Sequence, residues 1–115
     1  MSRPTYPPAT AESARHRHEL APEIDDAFQA FSRQVFSAGA LDEKTKQLIA
    51  VAVAHTTQCP YCIRGHTKAA LRKGASENEL MEAIWVAAEM RAGGAYAHAT
   101  VALDSAAQLQ GTPAD

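Results

Sequence analysis

Both cysteines of this 115-residue chain lie in one tetrapeptide, Cys59-Pro60-Tyr61-Cys62, and His66 follows four residues after the second. A disulfide that encloses only two residues constrains the chain very little, so a structural staple is a poor explanation for the pair. Redox chemistry or metal binding explains it better. On a helix turning about 100° per residue, Cys59, Cys62 and His66 fall within an arc of about 60° and share one face. A Cys59 at the helix cap has its thiolate favoured by the helix N-terminus, and Cys62 stands one turn before an imidazole that can take its proton. A thiolate attacks peroxide oxygen to give a sulfenic acid, and a second cysteine three residues away condenses with it before further oxidation. Two other uses remain open on the spacing: a zinc site completed by His55, and a pair of structural thiols.

The elements that must carry these side chains read as helices. From Pro22, residues Ile24, Ala27, Phe28, Phe31, Val35 and Phe36 recur at three- and four-residue spacing, predicting a helix with a definite inner face that stops at Gly39. Asp42 offers an N-cap to the next helix, whose run Leu48-Ile49-Ala50-Val51-Ala52-Val53-Ala54 is apolar on every side, as if enclosed by other helices. Its lead-in of Glu43, Lys44, Lys46 and Gln47 and its alternate alanines favour helix over buried strand. Pro60 suits the first turn of the cysteine helix, which should run to Lys73 with Gly74 as its stop. Ser76-Glu77-Asn78-Glu79 is a capping box opening a further helix, which Gly93-Gly94 should interrupt before Ala95 to Leu109 resumes. The chain is therefore expected to be all-α, a compact bundle of five or six helices. A tail with a short helix is expected over residues 1–19, the helical domain over 20–110, and a second tail over 111–115.

Composition narrows the classes of function. Eleven Lys and Arg against 13 Asp and Glu leave a net charge of −2 and no basic face for nucleic acid or an anionic membrane. No apolar stretch reaches a membrane span and the N-terminus lacks a signal-peptide core, so a cytoplasmic setting is the default. Leu, Ile, Val and Phe number 19 against 25 Ala, a thin set of large side chains for a core. Alanine-rich stretches at 87–88, 92–97 and 102–107 allow close helix approach, and a homo-oligomer is expected to recover the missing burial.

A vicinal dithiol alone would suggest a thioredoxin-like domain, but that motif follows a strand in a βαβ unit, which is lacking here. The segment from Lys46 through Ala54, then Cys59-Pro60-Tyr61-Cys62-Ile63-Arg64-Gly65-His66-Thr67-Lys68-Ala69-Ala70, then Gly74 to Ala83, resembles the carboxymuconolactone decarboxylase family. Within it the chain looks like the AhpD-like, alkyl hydroperoxidase D-type branch, over roughly residues 20–105. The resemblance implies an all-α subunit assembling into trimers or hexamers, and a thiol peroxidase that needs no haem, flavin or metal. It implies Cys62 as the peroxidatic cysteine, Cys59 as the resolving one, His66 as the base, and Tyr61 where a hydroxyl-bearing residue often sits. Its partners would be a peroxide substrate and a cellular dithiol reductant. The chain departs from the branch at Gln47, where a Glu commonly feeds a proton relay to the histidine. An amide does not ionise, so either the relay ends elsewhere or the activity is weak. Glu89, Glu82 and His55 are the alternatives, with Glu89 first because it stands in the apolar stretch from Ile84 to Ala92. Lactone decarboxylation needs acid–base groups and has no use for a vicinal dithiol. A disulfide reductase or redox sensor is the alternative that keeps the same cysteines. His16 and His18, beside Arg15 and Arg17, read as a solvated face, and His98 as structural or at a subunit contact.

Overall fold

A computed structural model describes residues 5–111, which form six α-helices with no strand among them. They are α1 (Ala11–Leu20), α2 (Pro22–Phe36), α3 (Glu43–Thr57), α4 (Pro60–Arg72), α5 (Glu77–Ala97) and α6 (Ala99–Gly111). The expected tail residues 1–4 and 112–115 lie outside the described range.

The punctuation residues act as their chemistry dictates. Pro22 and Pro60 open α2 and α4, where a missing N–H costs nothing. Asp42 caps α3 by accepting from the Thr45 N–H at 2.7 Å, and that bond holds its carboxyl below the usual carboxylate range. Helix α3 closes with Gln58 in the left-handed region (φ 57°), turning the chain into Cys59. Gly74 takes φ +96° after α4, a value that a side chain would strain. The capping box forms as the sequence predicts: the Glu79 N–H donates to Ser76 Oγ, and Ser76 N–H to Glu79 Oε1.

Helix α3 is the centre of the fold, packed between α4 and α5. Val51, fully buried, meets Ala70 of α4, Ala75, and Leu80 of α5, with Leu48 and Ile84 at the margin. Removing a valine side chain from water contributes about 1.5–3 kcal/mol. Two ion pairs brace the same element, Lys44 to Glu79 of α5 at 2.9 Å and Lys73 to Glu43 at 2.7 Å. Each partner of the Lys44–Glu79 pair favours the other's charge, raising the lysine's pKa and lowering the carboxylate's. Arg91 of α5 donates to the Thr56 carbonyl at the end of α3.

Three expectations need correction. The apolar face of α2 is not an inner face of the subunit: Ile24, Phe28 and Phe31 are exposed. Nor is α3 enclosed, since Ile49 and Val53 are about half exposed. And α5 runs unbroken through Gly93-Gly94 to Ala97. Glycine weakens a helix by about 1 kcal/mol without forbidding it, and Gly93 leaves room for Glu89, whose Oε1 would lie 3.2 Å from an added Cβ. The break comes instead at His98, which donates through Nδ1 to the Gly94 carbonyl at 2.6 Å.

The expectation of a compact bundle also fails for the isolated subunit. Its radius of gyration is 20.5 Å, where a compact chain of this size would have about 13 Å. α1 and α2 pair with each other, His18 contacting Asp26 at 2.9 Å, while α6 continues from α5 with every residue exposed. No helix among the described residues is long and apolar enough to cross a membrane.

Candidate active site

Cys59 is the N-cap of α4, in extended backbone conformation, and its carbonyl accepts the first helical bond from the Ile63 N–H at 2.9 Å. Its Sγ accepts from the Cys62 N–H at 3.2 Å, so one sulfur occupies the anion-favouring end of the helix. Cys59 and Cys62 are paired as a disulfide, with Cα atoms 5.3 Å apart, and both side chains are half-buried. One turn further along α4 stands His66.

Gln47 of α3, only 8% exposed, reaches across to His66: its Oε1 lies 2.7 Å from the ring Nδ1. A carboxamide oxygen only accepts, so this contact puts the proton on Nδ1 and leaves the lone pair of the neutral ring on Nε2. Phe36, the last residue of α2, lies against the imidazole with ring centroids 5.0 Å apart and planes tilted by 31°. The ring is thus held by a hydrogen bond from α3 and an aromatic contact from α2.

Beside it opens a cavity of about 410 Å³. Val35 and Phe36 of α2 and Ile49, Ala50 and Val53 of α3 line it, and Cys62 and His66 share that lining while Cys59 and Tyr61 do not. A thiolate generated at Cys62 would therefore face an apolar space with a general base beside it.

The sequence model of the carboxymuconolactone decarboxylase family matches residues 22–105, a span that contains both cysteines, Gln47 and His66. The chain belongs to this family. A relative from Paracoccus denitrificans, described as uncharacterized protein 4 in the cox locus, is 57% identical over 111 residues, covering 96% of each chain. A crystal structure of a carboxymuconolactone decarboxylase family protein from Legionella pneumophila, in its apo form, superposes with a TM-score of 0.63. It is 38% identical and covers 69% of this chain and 70% of its own. A structure from Methanobacterium thermoautotrophicum gives a TM-score of 0.72 at 40% identity, covering 78% of this chain and 98% of its own. The AhpD-like branch of the family is consistent with these matches.

The other residues singled out from the sequence are distributed as follows. Tyr61 donates its hydroxyl to the Pro7 carbonyl at 2.8 Å, with Tyr6 edge-on against its ring. Glu89 is exposed on α5, its apolar sequence neighbours Trp85, Val86 and Met90 being exposed with it, and Glu82 is exposed too. The only side-chain partner found for His66 Nδ1 among the described residues is Gln47. His55 contacts the Val51 carbonyl of its own helix through Nδ1 at 2.8 Å. Among the described residues no three His, Cys, Asp or Glu side chains converge as a metal site, so the four-ligand zinc arrangement with His55 is not built. Sequence reasoning missed Phe36 and Lys46 as site residues. Phe36 stood in the periodic apolar set of α2, and the end of that helix directly after it was the available signal.

Proposed function

We propose that this family member is a thiol-dependent peroxidase that reduces alkyl hydroperoxides or hydrogen peroxide by cycling Cys59 and Cys62 between dithiol and disulfide. In the reduced enzyme His66 Nε2 takes the Cys62 proton. The Cys62 thiolate attacks the terminal peroxide oxygen, the O–O bond breaks, and the departing alkoxide takes the proton from His66 and leaves as alcohol. Cys62 is then a sulfenic acid. Cys59 sulfur displaces its hydroxyl, which leaves as water with the Cys59 proton, and the disulfide forms. A cellular dithiol reduces the pair by exchange through a mixed disulfide. The sum is one hydroperoxide and one dithiol giving alcohol, water and disulfide, with no haem, flavin or metal taking part.

The observation that carries this proposal is the bonded pair with Cys62, and not Cys59, on the apolar cavity beside a histidine oriented by Gln47. It supports Cys62 as peroxidatic, Cys59 as resolving and His66 as base. Gln47 acts as the orienting group and not as the final acceptor, because its amide cannot ionise. That same property favours a second reading, in which the pair works as a disulfide reductase or redox sensor with slow peroxide turnover. Peroxide consumption with a dithiol reductant tests the assignment: Cys62→Ser should abolish it, and equal rates in the variant and the wild type would overturn it.

We also propose that the working form is a homo-oligomer, a trimer or hexamer, acting in the cytoplasm. What supports the assembly is the apolar surface left uncovered on α2, α5 and α6, where Phe28, Phe31, Trp85, Met90 and Leu103 are each more than 60% exposed.

A further inference from the structure

The cavity beside Cys62 is far larger than hydrogen peroxide requires. At 410 Å³ it would hold more than ten waters at about 30 Å³ each, and it is in the range of pockets that take organic ligands. Its walls are Val35, Phe36, Ile49, Ala50 and Val53, and the single charged residue in its lining is Lys46. The Lys46 ammonium donates to the carbonyls of Val35 at 2.9 Å and Ser37 at 2.6 Å, which fixes it over the end of α2. Both partners are neutral, and among the described residues no carboxylate lies within 4.0 Å of Nζ. An ammonium has three donors, so one remains for a ligand. The lining thus offers an apolar body site, one positive charge with no carboxylate beside it, and the proposed attacking sulfur with its base.

We propose that this cavity selects an organic hydroperoxide with an apolar chain and a carboxylate head, of the fatty-acid hydroperoxide class, over hydrogen peroxide. The proposal rests on the peroxidase assignment and specifies its substrate. The chain lies along Val35, Ile49 and Val53, the carboxylate meets Lys46, and the peroxide group reaches Cys62 and His66. Each methylene moved from water into such a site is worth about fourfold in affinity, a gain hydrogen peroxide cannot have. A carboxylate on a half-buried lysine adds roughly twofold to fivefold. The chemistry is unchanged: Cys62 sulfur takes the terminal oxygen, the hydroxy acid leaves, Cys59 closes the disulfide with loss of water, and an external dithiol supplies the two electrons.

The test compares a fatty-acid hydroperoxide, its methyl ester and hydrogen peroxide as oxidants of the reduced full-length protein, below the micelle concentration of the lipids. Each rate is divided by that oxidant's rate with free dithiothreitol. The acid should exceed the ester by roughly twofold to fivefold, and the ester should exceed hydrogen peroxide by at least as much. The acid-to-ester ratio should collapse to about one in Lys46→Met and survive in Lys46→Arg. A normalised hydrogen peroxide rate equal to that of the acid, or an acid-to-ester ratio of one in the wild type, overturns the proposal. Loss of the acid preference as protein concentration rises and the chain self-associates would assign the cavity to a second copy and overturn it equally. A separate binding arm uses the hydroxy-acid product, which should slow alkylation of reduced Cys62 in the wild type and not in Lys46→Met. Protection without oxidation by any peroxide would refute the peroxidase assignment while upholding the binding site; oxidation by hydrogen peroxide without protection would do the reverse.

Discussion

Gln47 is the position where the site can be tuned in both directions by one substitution. Its amide oxygen lies 2.7 Å from His66 Nδ1 in a part-buried setting, Gln47 itself being 8% exposed. When His66 takes the Cys62 proton, the ring becomes imidazolium and that bond gains a charged donor. With Gln47→Glu both partners are charged, and charge-assisted bonds contribute about 1.5–3 kcal/mol against about 0.5–1.5 for neutral ones. Desolvation of the new carboxylate acts in the same direction, because it is relieved only when the ring carries a proton. A gain of about 1 kcal/mol corresponds to roughly fivefold more thiolate–imidazolium pair, and the rate of Cys62 oxidation at neutral pH should rise by that factor. Gln47→Leu removes the acceptor, so the imidazolium loses a bond worth about 1.5–3 kcal/mol where the neutral ring loses one worth about 0.5–1.5, and the difference of about 1 kcal/mol should slow oxidation roughly fivefold. The assay mixes reduced protein with excess peroxide, quenches with an alkylating reagent at intervals, and counts free thiols by mass. Circular dichroism confirms that each variant keeps its helices. Oxidation of folded Gln47→Leu at the wild-type rate would show that His66 orientation does not govern the thiolate. A folded Gln47→Glu that reacts more slowly than the wild type would show that the base must start beside a neutral partner, and would refute the same reasoning.

Two further outcomes follow from packing and charge. Light scattering at micromolar concentration should give a mass that is a multiple of 12.3 kDa, and Phe28→Glu, on the uncovered face of α2, should lower both that mass and the thermal midpoint; a wild-type mass of 12.3 kDa with cooperative unfolding would refute the assembly. The carboxyl of Glu79 titrates below its ordinary 4.5, chiefly because Lys44 donates to it, so its contribution to stability is complete above that value and is lost as pH falls through the lower folded one. The urea midpoints of the wild type and Glu79→Gln should therefore differ near pH 6 and converge as the pH falls through the lowered folded value, and a difference unchanged by acid would contradict the pairing.

How far the molecule could be read in its sequence depends on whether the relevant force is local. Pro22, Asp42, Pro60, Gly74 and the Ser76–Glu79 box act within one turn of the chain, and the helix ends stand where those residues require. Cys62 and His66 stand one turn apart on α4 and line the same cavity, a juxtaposition the helical period encodes, whereas Cys59 is the N-cap and lies outside that lining. Gly93-Gly94 misled because glycine only lowers helix stability, and the turns on either side of the pair carry the helix across it. Glu89 misled for a related reason: a linear run of apolar neighbours signals burial only if another element covers that face, and among the described residues none does. Phe36 and Lys46 belong to the site through contacts between α2, α3 and α4 that no single-helix period encodes. Those contacts also connect the chemistry to the surface left bare. The last turn of α2 places Phe36 on His66 and Val35 in the cavity, while earlier turns expose Ile24, Phe28 and Phe31. Burial of those three side chains in an assembly would hold α2 in place, and with it the wall of the cavity and the contact on the proposed base. The scarcity of large residues in the core thus bears on reactivity as well as on stability, because the helix that completes the site has little within its own subunit to hold it.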